Sequence, residues 1–530
     1  MDSAAFNFRS PSRSSAGPGS IPPPGQEIMM ASGSFNFQTP ATSRSVDILP
    51  NAMVSEDDCR RIHGLLVDAR EGVALLTSQL AGMNVSSYAD KRKLTARRNR
   101  LTEFIDAHLA VLSVTRRIPE DVLREIFLAC VSFDEPPSLD PNEPPLVLCR
   151  VSRDWRCLAL SMPRLWNALK IGPLTEGQND RMQQIADAAK DWLSRSASLP
   201  LTIAFIGQPR PVGINKFQLA PAVSRTTTPT YHAVLRTLAT FAPRWKSFTF
   251  HVAESIHLAS LSHVSPSDVS MLQSVSIRCE QIPRSEENLP FLSADTITSV
   301  SIHPDYLASR SRNRLPWATV LDLTLDGGSF VAAILRECAL LKTFTLRNID
   351  CVYAPRLGDP VLLEELQNFS MTDGERGDSE SARSFLRNLV LPNLRHLEYR
   401  KNNGWAKESL VIEPVLESCA LTLRSLDLIV CMSMTAFFNA LQAAKHLEEL
   451  IIQSEPSTRA GSGEPDHILI PLTPSLASPT PVLCPRLRSV ALLNFGSKIS
   501  DEVLLQFVRE RTEGREGLVK LGSVKTRFNR

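Results

Sequence analysis

From Cys59 onward the apolar positions alternate by three and four residues, at Cys59, Ile62, Leu66, Ala69, Val73, Leu76, Leu80 and Met83. That spacing predicts one amphipathic helix. The turn-prone stretch 82–88 interrupts it, and a second stripe follows at Leu94, Leu101, Ile105, Leu109 and Leu112. Two stripes with a short connection predict an antiparallel helical hairpin over 56–115. An intermolecular coiled coil is the alternative, although each arm holds only about three to four heptads. Next, Val122, Leu123, Ile126, Phe127 and Cys130 share one helical face. Pro119, Glu120 and Asp121 suit the first turn of that helix, and Asp134-Glu135-Pro136-Pro137 stops it. Two more short helical runs follow, one through Leu146, Cys149, Val151 and Trp155, the other through Leu158, Ala159 and Met162 to Leu165-Trp166. Helices this short need one another, and are expected to use a partner, to be stable.

The second half changes rhythm. An apolar residue, two others, an apolar residue, one other and an apolar residue recur at Trp245-Phe248-Phe250, Leu272-Val275-Ile277, Ile297-Val300-Ile302, Ala318-Leu321-Leu323, Leu341-Phe344-Leu346, Leu394-Leu397-Tyr399, Leu423-Leu426-Leu428, Leu447-Leu450-Ile452 and Leu487-Val490-Leu492. A degenerate copy sits at Leu363-Leu366. Most copies lie roughly 21 to 31 residues apart, close to the leucine-rich-repeat period. Each unit reads as a short strand followed by a helix, as at Val331-Ile334-Leu335 and Phe437-Phe438-Leu441. A single unit cannot bury its own apolar face, so the pattern predicts a stacked solenoid with a parallel sheet. The competing reading is an unrelated α/β domain with coincidental leucine spacing. Between Leu447 and Leu487 the spacing widens over a Pro-, Ser- and Gly-rich stretch, so 454–482 is expected to be a mobile loop.

The chain has 530 residues, too many for one hydrophobic core, with 43% hydrophobic and 22% charged residues. Residues 1–55 are rich in Ser, Pro, Gly and Ala and are expected to be a disordered tail. They hold the tripeptide Phe-Asn-Phe twice, at Phe6 and at Phe35. A net charge of +2 gives no global field that would mark a nucleic-acid or membrane binder. One local exception exists: Lys91-Arg92-Lys93 with Arg97, Arg98 and Arg100 could bind nucleic acid or direct nuclear import. Because these residues flank Leu94 and Leu101, the expected reading is the solvated face of a helix, and nucleic acid is not expected as a partner. The 10 cysteines show no metal-like pairing, the first residues lack the apolar core of a signal peptide, and no apolar run reaches about 18 residues. These features point to reduced thiols and a soluble protein of the cytoplasm or nucleus.

The short-helix region carries a specific likeness. Ile118-Pro119-Glu120-Asp121-Val122-Leu123, Ile126-Phe127, Val151-Ser152-Arg153-Asp154-Trp155-Arg156 and Leu165-Trp166, in that order and spacing, resemble an F-box. Ile118 stands where the family usually has leucine, and the loop 131–145 is longer than in the compact version. That longer loop, the upstream helical segment, and the runs Trp192-Leu193-Ser194-Arg195-Ser196 and Leu199-Pro200-Leu201 resemble the F-box proteins of mushroom-forming fungi, here with C-terminal leucine-rich-like repeats. The resemblance implies a multidomain α plus α/β chain. Its parts would be a tail (1–55), the hairpin or coiled coil (56–115), a three-helix F-box (116–170), a helical linker (171–198) and an irregular leucine-rich-repeat solenoid (199–530). It implies docking onto the Skp-type adaptor of a cullin ligase core, with Pro119, Leu123, Ile126, Val151, Trp155 and Leu158 lining the contact, and a protein substrate held by the repeats. A plain helical cluster whose tryptophans are only core is the competing reading.

Catalytic chemistry has no visible seat. The sequence contains no GxxxxGK[ST], HExxH, GxSxG or paired CxxC pattern, and His251, His257 and His263 do not share a helix face. The sequence therefore predicts a non-catalytic protein with no cofactor and no metal. Two functional classes stay open, the substrate receptor of a ubiquitin ligase and a non-ligase scaffold or regulator, with a nucleic-acid regulator acting through Lys91 to Arg100 as a third, weaker reading.

Overall fold

A computed structural model describes residues 56–82, 88–112, 118–132, 135–173, 181–207, 231–252, 259–279, 289–302, 315–326, 331–349, 360–373, 379–401, 412–429, 434–453, 468–477, 482–493, 500–513 and 517–527. The expected tail 1–55, with both Phe-Asn-Phe copies, lies outside them, as does His257. The chain divides into two compact units, Met1–Glu120 and Asp121–Arg530.

In the first unit, α1 (Glu56–Gly82) packs on α2 (Tyr88–Leu112) within one chain. The heptad positions Ile62, Leu66, Ala69 and Leu76 are buried, as is Leu101 across from them. Gly72 allows this approach: a Cβ there would sit 3.2 Å from Leu101 Cδ1. Three acidic residues, Glu56, Asp57 and Asp58, occupy the positive end of α1, where they stabilise it.

The second unit opens with α3 (Glu120–Cys130), α4 (Leu148–Val151) and α5 (Arg153–Leu160). It continues as a parallel sheet of 13 strands. In chain order the strands are β1 (Ala168–Ile171), β2 (Leu201–Ile206), β3 (Trp245–Val252), β4 (Ser274–Cys279), β5 (Ser299–Ile302), β6 (Asp322–Asp326), β7 (Thr343–Ile349), β8 (Val361–Leu362), β9 (Asn368–Asp373), β10 (Leu389–Val390), β11 (His396–Lys401), β12 (Ser425–Ile429), β13 (Glu449–Gln453), β14 (Ser489–Leu493) and β15 (Ser523–Arg527). Strands β8 and β10 form a separate two-stranded ladder; all the others pair with their sequence neighbours in order. The crossovers include α6 (Met182–Ser194), α7 (His232–Ala239), α8 (Val331–Glu337), α9 (Ser379–Arg387), α10 (Glu413–Ser418), α11 (Met434–Ala443) and α12 (Asp501–Glu513). Short 3-10 turns replace helices at Pro266–Val269 and Pro290–Ser293, each with proline in the first turn.

Register explains the apolar pattern. Phe248, Val275, Val300, Leu323, Phe344, Phe369, Leu397, Leu426 and Leu450 are aligned partners across successive strands, and all are buried. Stacked rings line part of this interior, Phe344 on Phe369 at 5.3 Å and Phe205 on Phe250 at 5.4 Å. Before each strand, one backbone N–H donates to the equivalent carbonyl of the previous unit. The chain runs Gln273 to Lys246, Thr298 to Gln273, Leu321 to Thr298, Lys342 to Leu321 and onward to Gly522 on Arg488, at 2.7–2.9 Å. These bonds satisfy the turn backbone that the strand ladder leaves open.

Several expectations are corrected. The copy read at Ala318-Leu321-Leu323 is Val320-Leu323-Leu325: Leu321 occupies the linking position that other units fill mainly with Lys, Gln, Thr or Arg, and a shift of two residues preserves the alternation. The degenerate Leu363-Leu366 copy is a full one, Leu366-Phe369-Met371, buried throughout. The sheet begins at Ala168, inside the segment 116–170, not at 199. The supposed linker 171–198 holds α6, whose Met182, Ala186, Ala189, Trp192 and Leu193 are buried, so the segments from Asp121 onward form one body. Within the expected mobile loop 454–482, residues 468–477 instead make a packed turn. Leu469, Leu472 and Thr473 are buried, and Ser475 N–H donates to Glu510 of α12 at 2.9 Å. The remainder, 454–467 and 478–481, lies outside the described residues.

Candidate docking site

The module 118–166 builds a small core of its own. Leu123, Phe127, Leu158, Ala159, Leu165 and Trp166 are buried, and Trp155 packs its ring against Phe127 at 4.9 Å. Ser152 caps α5 by accepting from Trp155 N–H at 3.1 Å, which fixes where the Trp155 side chain leaves the backbone. Trp166 Nε1 donates to the Ala159 carbonyl at 2.8 Å, tying the end of the module back to α5.

The module is anchored to the repeats at two places. Trp166 meets Trp192 of α6 edge-on at 4.9 Å, with the Arg195 guanidinium 4.7 Å from the Trp166 ring, and Trp192 Nε1 donates to the Ala168 carbonyl at 3.0 Å. The loop after α3 adds to the sheet edge: Ser138 bridges Lys170 of β1, Lys170 N–H donates to Pro137 at 2.7 Å, and the Lys170 ammonium pairs with Glu135 at 3.3 Å.

The six residues expected at a contact divide into two groups. Pro119, Ile126 at 38% exposure and Val151 at 56% face solvent, and Trp155 is half-buried. Leu123 and Leu158 are buried. In the free chain both are thus covered, unlike Ile126 and Val151. Val122, 44% exposed, and Leu160, also exposed, are apolar surface residues outside the six expected at the contact. Val122 and Ile126 are four apart on α3 and share a face, a signal the helical stripe contained.

A second surface is the sheet face turned away from the buried rungs. Its positions are mainly small and hydroxylic: Ser247, Ser274, Ser299 and Thr343 in one rung, interrupted by the exposed Asp322 between the last two, and Thr249, Ser276, Ser301, Thr324, Thr345 and Ser370 in the next, all the hydroxylic ones half-buried. Charges gather at the strand ends. Arg278 reaches across the short β5 to Asp326 at 2.9 Å, and His251 bonds Ser276 at 3.1 Å. Burial, then the nearby Arg278 and Arg347, hold the His251 imidazole below its ordinary value. Farther along, Glu398 is bonded by Ser370 and Arg400. Asp427, beside Glu398 in register, has its carboxyl raised by burial and by that like charge. Among the described residues, no group of three or more His, Cys, Asp or Glu side chains is placed to hold a metal, and no helix is long and apolar enough to cross a membrane.

No family model and no curated protein matches the sequence. Among solved structures, the chain is similar to the leucine-rich repeat-containing protein LegL7 from Legionella pneumophila, at 14% identity over 55% of this chain and 86% of that one, with a TM-score of 0.32. It is also similar to the Rad7 and Elc1 complex of yeast, at 15% identity over 69% of this chain and 70% of that one, with a TM-score of 0.30. The chain from Asp121 onward is an α/β repeat array of parallel strands in chain order, led by a short helical module with an apolar exposed side.

Proposed function

We propose that the chain is a substrate receptor of a Skp–cullin–F-box type ubiquitin ligase, acting in the cytoplasm or nucleus without catalysis of its own. The module at 118–166 docks the Skp-type adaptor, and the hydroxyl-lined sheet face holds a protein substrate near the transferring enzyme, so the chain contributes proximity and orientation. One observation carries this reading. Val122, Ile126 and Val151 are apolar and exposed on a module whose own core is already closed by Leu123, Phe127 and Trp166. Such side chains gain nothing in the free chain and are the kind a protein interface buries. The F-box resemblance of 118–166 supports the same assignment.

The test is a titration of purified adaptor against the full chain and the Ile126→Glu, Val151→Glu double variant. Both positions are at the surface, so the variant keeps the melting behaviour of the parent. Affinity falls on the order of a hundredfold or more, since losing an interface anchor commonly costs about 2 kcal/mol. An unbound wild-type chain, or full binding by the variant, rejects the receptor reading and leaves the scaffold in its place.

A further inference from the structure

The first half of α2 concentrates the cations of the α1–α2 hairpin. Residues 88–100 of α2 carry Lys91, Arg92, Lys93, Arg97, Arg98 and Arg100 against one carboxylate, Asp90, whose ion pair with Lys93 is long at 3.9 Å and exposed on both sides. Gly72 beside Leu101 fixes the register of the antiparallel pair. Running back from that contact, 73–82 of α1 lies beside 91–100 of α2, and 73–82 reads VALLTSQLAG, without a charge. Of the acids of α1, Glu56, Asp57 and Asp58 sit at the other end of the hairpin, where Asp57 pairs with Arg60 at 2.7 Å, while Asp68 and Glu71, with Glu103 of α2, lie beyond the Gly72–Leu101 contact from the patch. A solvated helix face accounts for the exposure of these cations but not for their segregation.

The chemistry of the patch is specific. Tyr88, 79% exposed, and Arg92 are four apart and share a face, with Lys91 beside them. Lys93, Arg97 and Arg100 follow one another by four and three on the adjoining face. Leu94 is half-buried and Leu101 buried, so within 88–100 the exposed aliphatic side chains are only the small Ala89 and Ala96, which offer little for insertion into lipid. An exposed aromatic ring among closely spaced cations matches a ligand that presents phosphates and flat bases together.

We propose that the tip of this hairpin docks single-stranded nucleic acid, with Lys91, Arg92, Lys93 and Arg100 on the phosphates and Tyr88 stacked on a base. This surface is independent of the adaptor-docking module and stands whether or not that reading holds.

The test is fluorescence anisotropy of a fluorescein-labelled oligouridine, and of the matching oligothymidine, with the full chain. Binding is expected at low salt, weakening on the order of a hundredfold between about 50 and 200 mM salt for some five phosphate contacts. Lys91→Glu, Arg92→Glu, Lys93→Glu abolishes it. Arg60→Glu, Arg61→Glu, at the other end of the hairpin, leaves it unchanged, and circular dichroism confirms that both variants keep their helix. Tyr88→Ala weakens binding at least about fivefold without changing the salt slope. Absence of binding at 50 mM salt, equal binding by the triple variant, or no effect of Tyr88→Ala overturns the proposal. So does displacement of the oligonucleotide by polyglutamate, or equal affinity for phosphatidylserine vesicles, either of which assigns the patch to another anion.

Discussion

Cysteine reactivity follows from burial. The Cys338, Cys419 and Cys484 thiols are enclosed by the repeat interior, and that burial pushes each up to about 12. A thiolate is the species that reacts, so at neutral pH these three are nearly inert while the chain is folded. Cys130 and Cys157 are exposed on α3 and α5. Brief iodoacetamide treatment followed by peptide mass spectrometry should find Cys130 and Cys157 modified first and the buried three unmodified until denaturant is added. Early labelling of Cys338 or Cys419 would show that the interior opens. Residue identity alone could not sort these thiols, since all ten cysteines are scattered through similar apolar runs. The same limit explains Leu123 and Leu158. A stripe on a short helix says that a side chain is apolar, and not whether its neighbour is the same module or another protein.

The packed turn at 468–477 depends on one buried cation. Arg511 of α12 is 1% exposed and donates through Nε to the Leu472 carbonyl at 2.8 Å, through Nη1 to Cys484 at 3.2 Å and through Nη2 to Leu483 at 2.8 Å. Its planar fork satisfies three carbonyls that no strand or helix reaches. Arg511→Met leaves them without that donor and should lower stability by about 3 kcal/mol or more in a denaturant titration. Arg511→Lys should recover little of this, because an ammonium cannot span the three positions. Rescue by lysine would mean that charge, and not the fork, holds the turn. Nothing in the sequence around 454–482 announced this latch: its composition is that of a loop, and the partner lies about 30 residues downstream on a helix with its own reasons to carry arginine. By contrast, the heptad of α1 and the strands β3, β4 and β11–β14 were legible, since buried residues repeat there at the period of the backbone. Strand β1 escaped notice because four residues, Ala168–Ile171, are too few to show alternation beside a helical run.

Across the second unit, each strand of the main sheet between β1 and β15 pairs with one predecessor and one successor. Stability in such an array is a sum of local terms. Leu397→Ala removes a fully buried side chain from β11 and should cost roughly 2–5 kcal/mol. The loss should be read locally. Hydrogen exchange should accelerate in β9, β11 and β12 while β2–β4 keep their protection, and uniform acceleration would show one cooperative block instead. The ordering of strands also has a meaning for the ribosome. Because the spatial order of the main sheet is the chain order, each of its strands after β1 finds its neighbour already in place as it leaves the exit tunnel. At roughly 5–20 residues per second a repeat emerges in a few seconds, far longer than a helix or strand needs to form. The protein can therefore be laid down course by course, like masonry, from the tryptophan-anchored footing at Trp166 and Trp192.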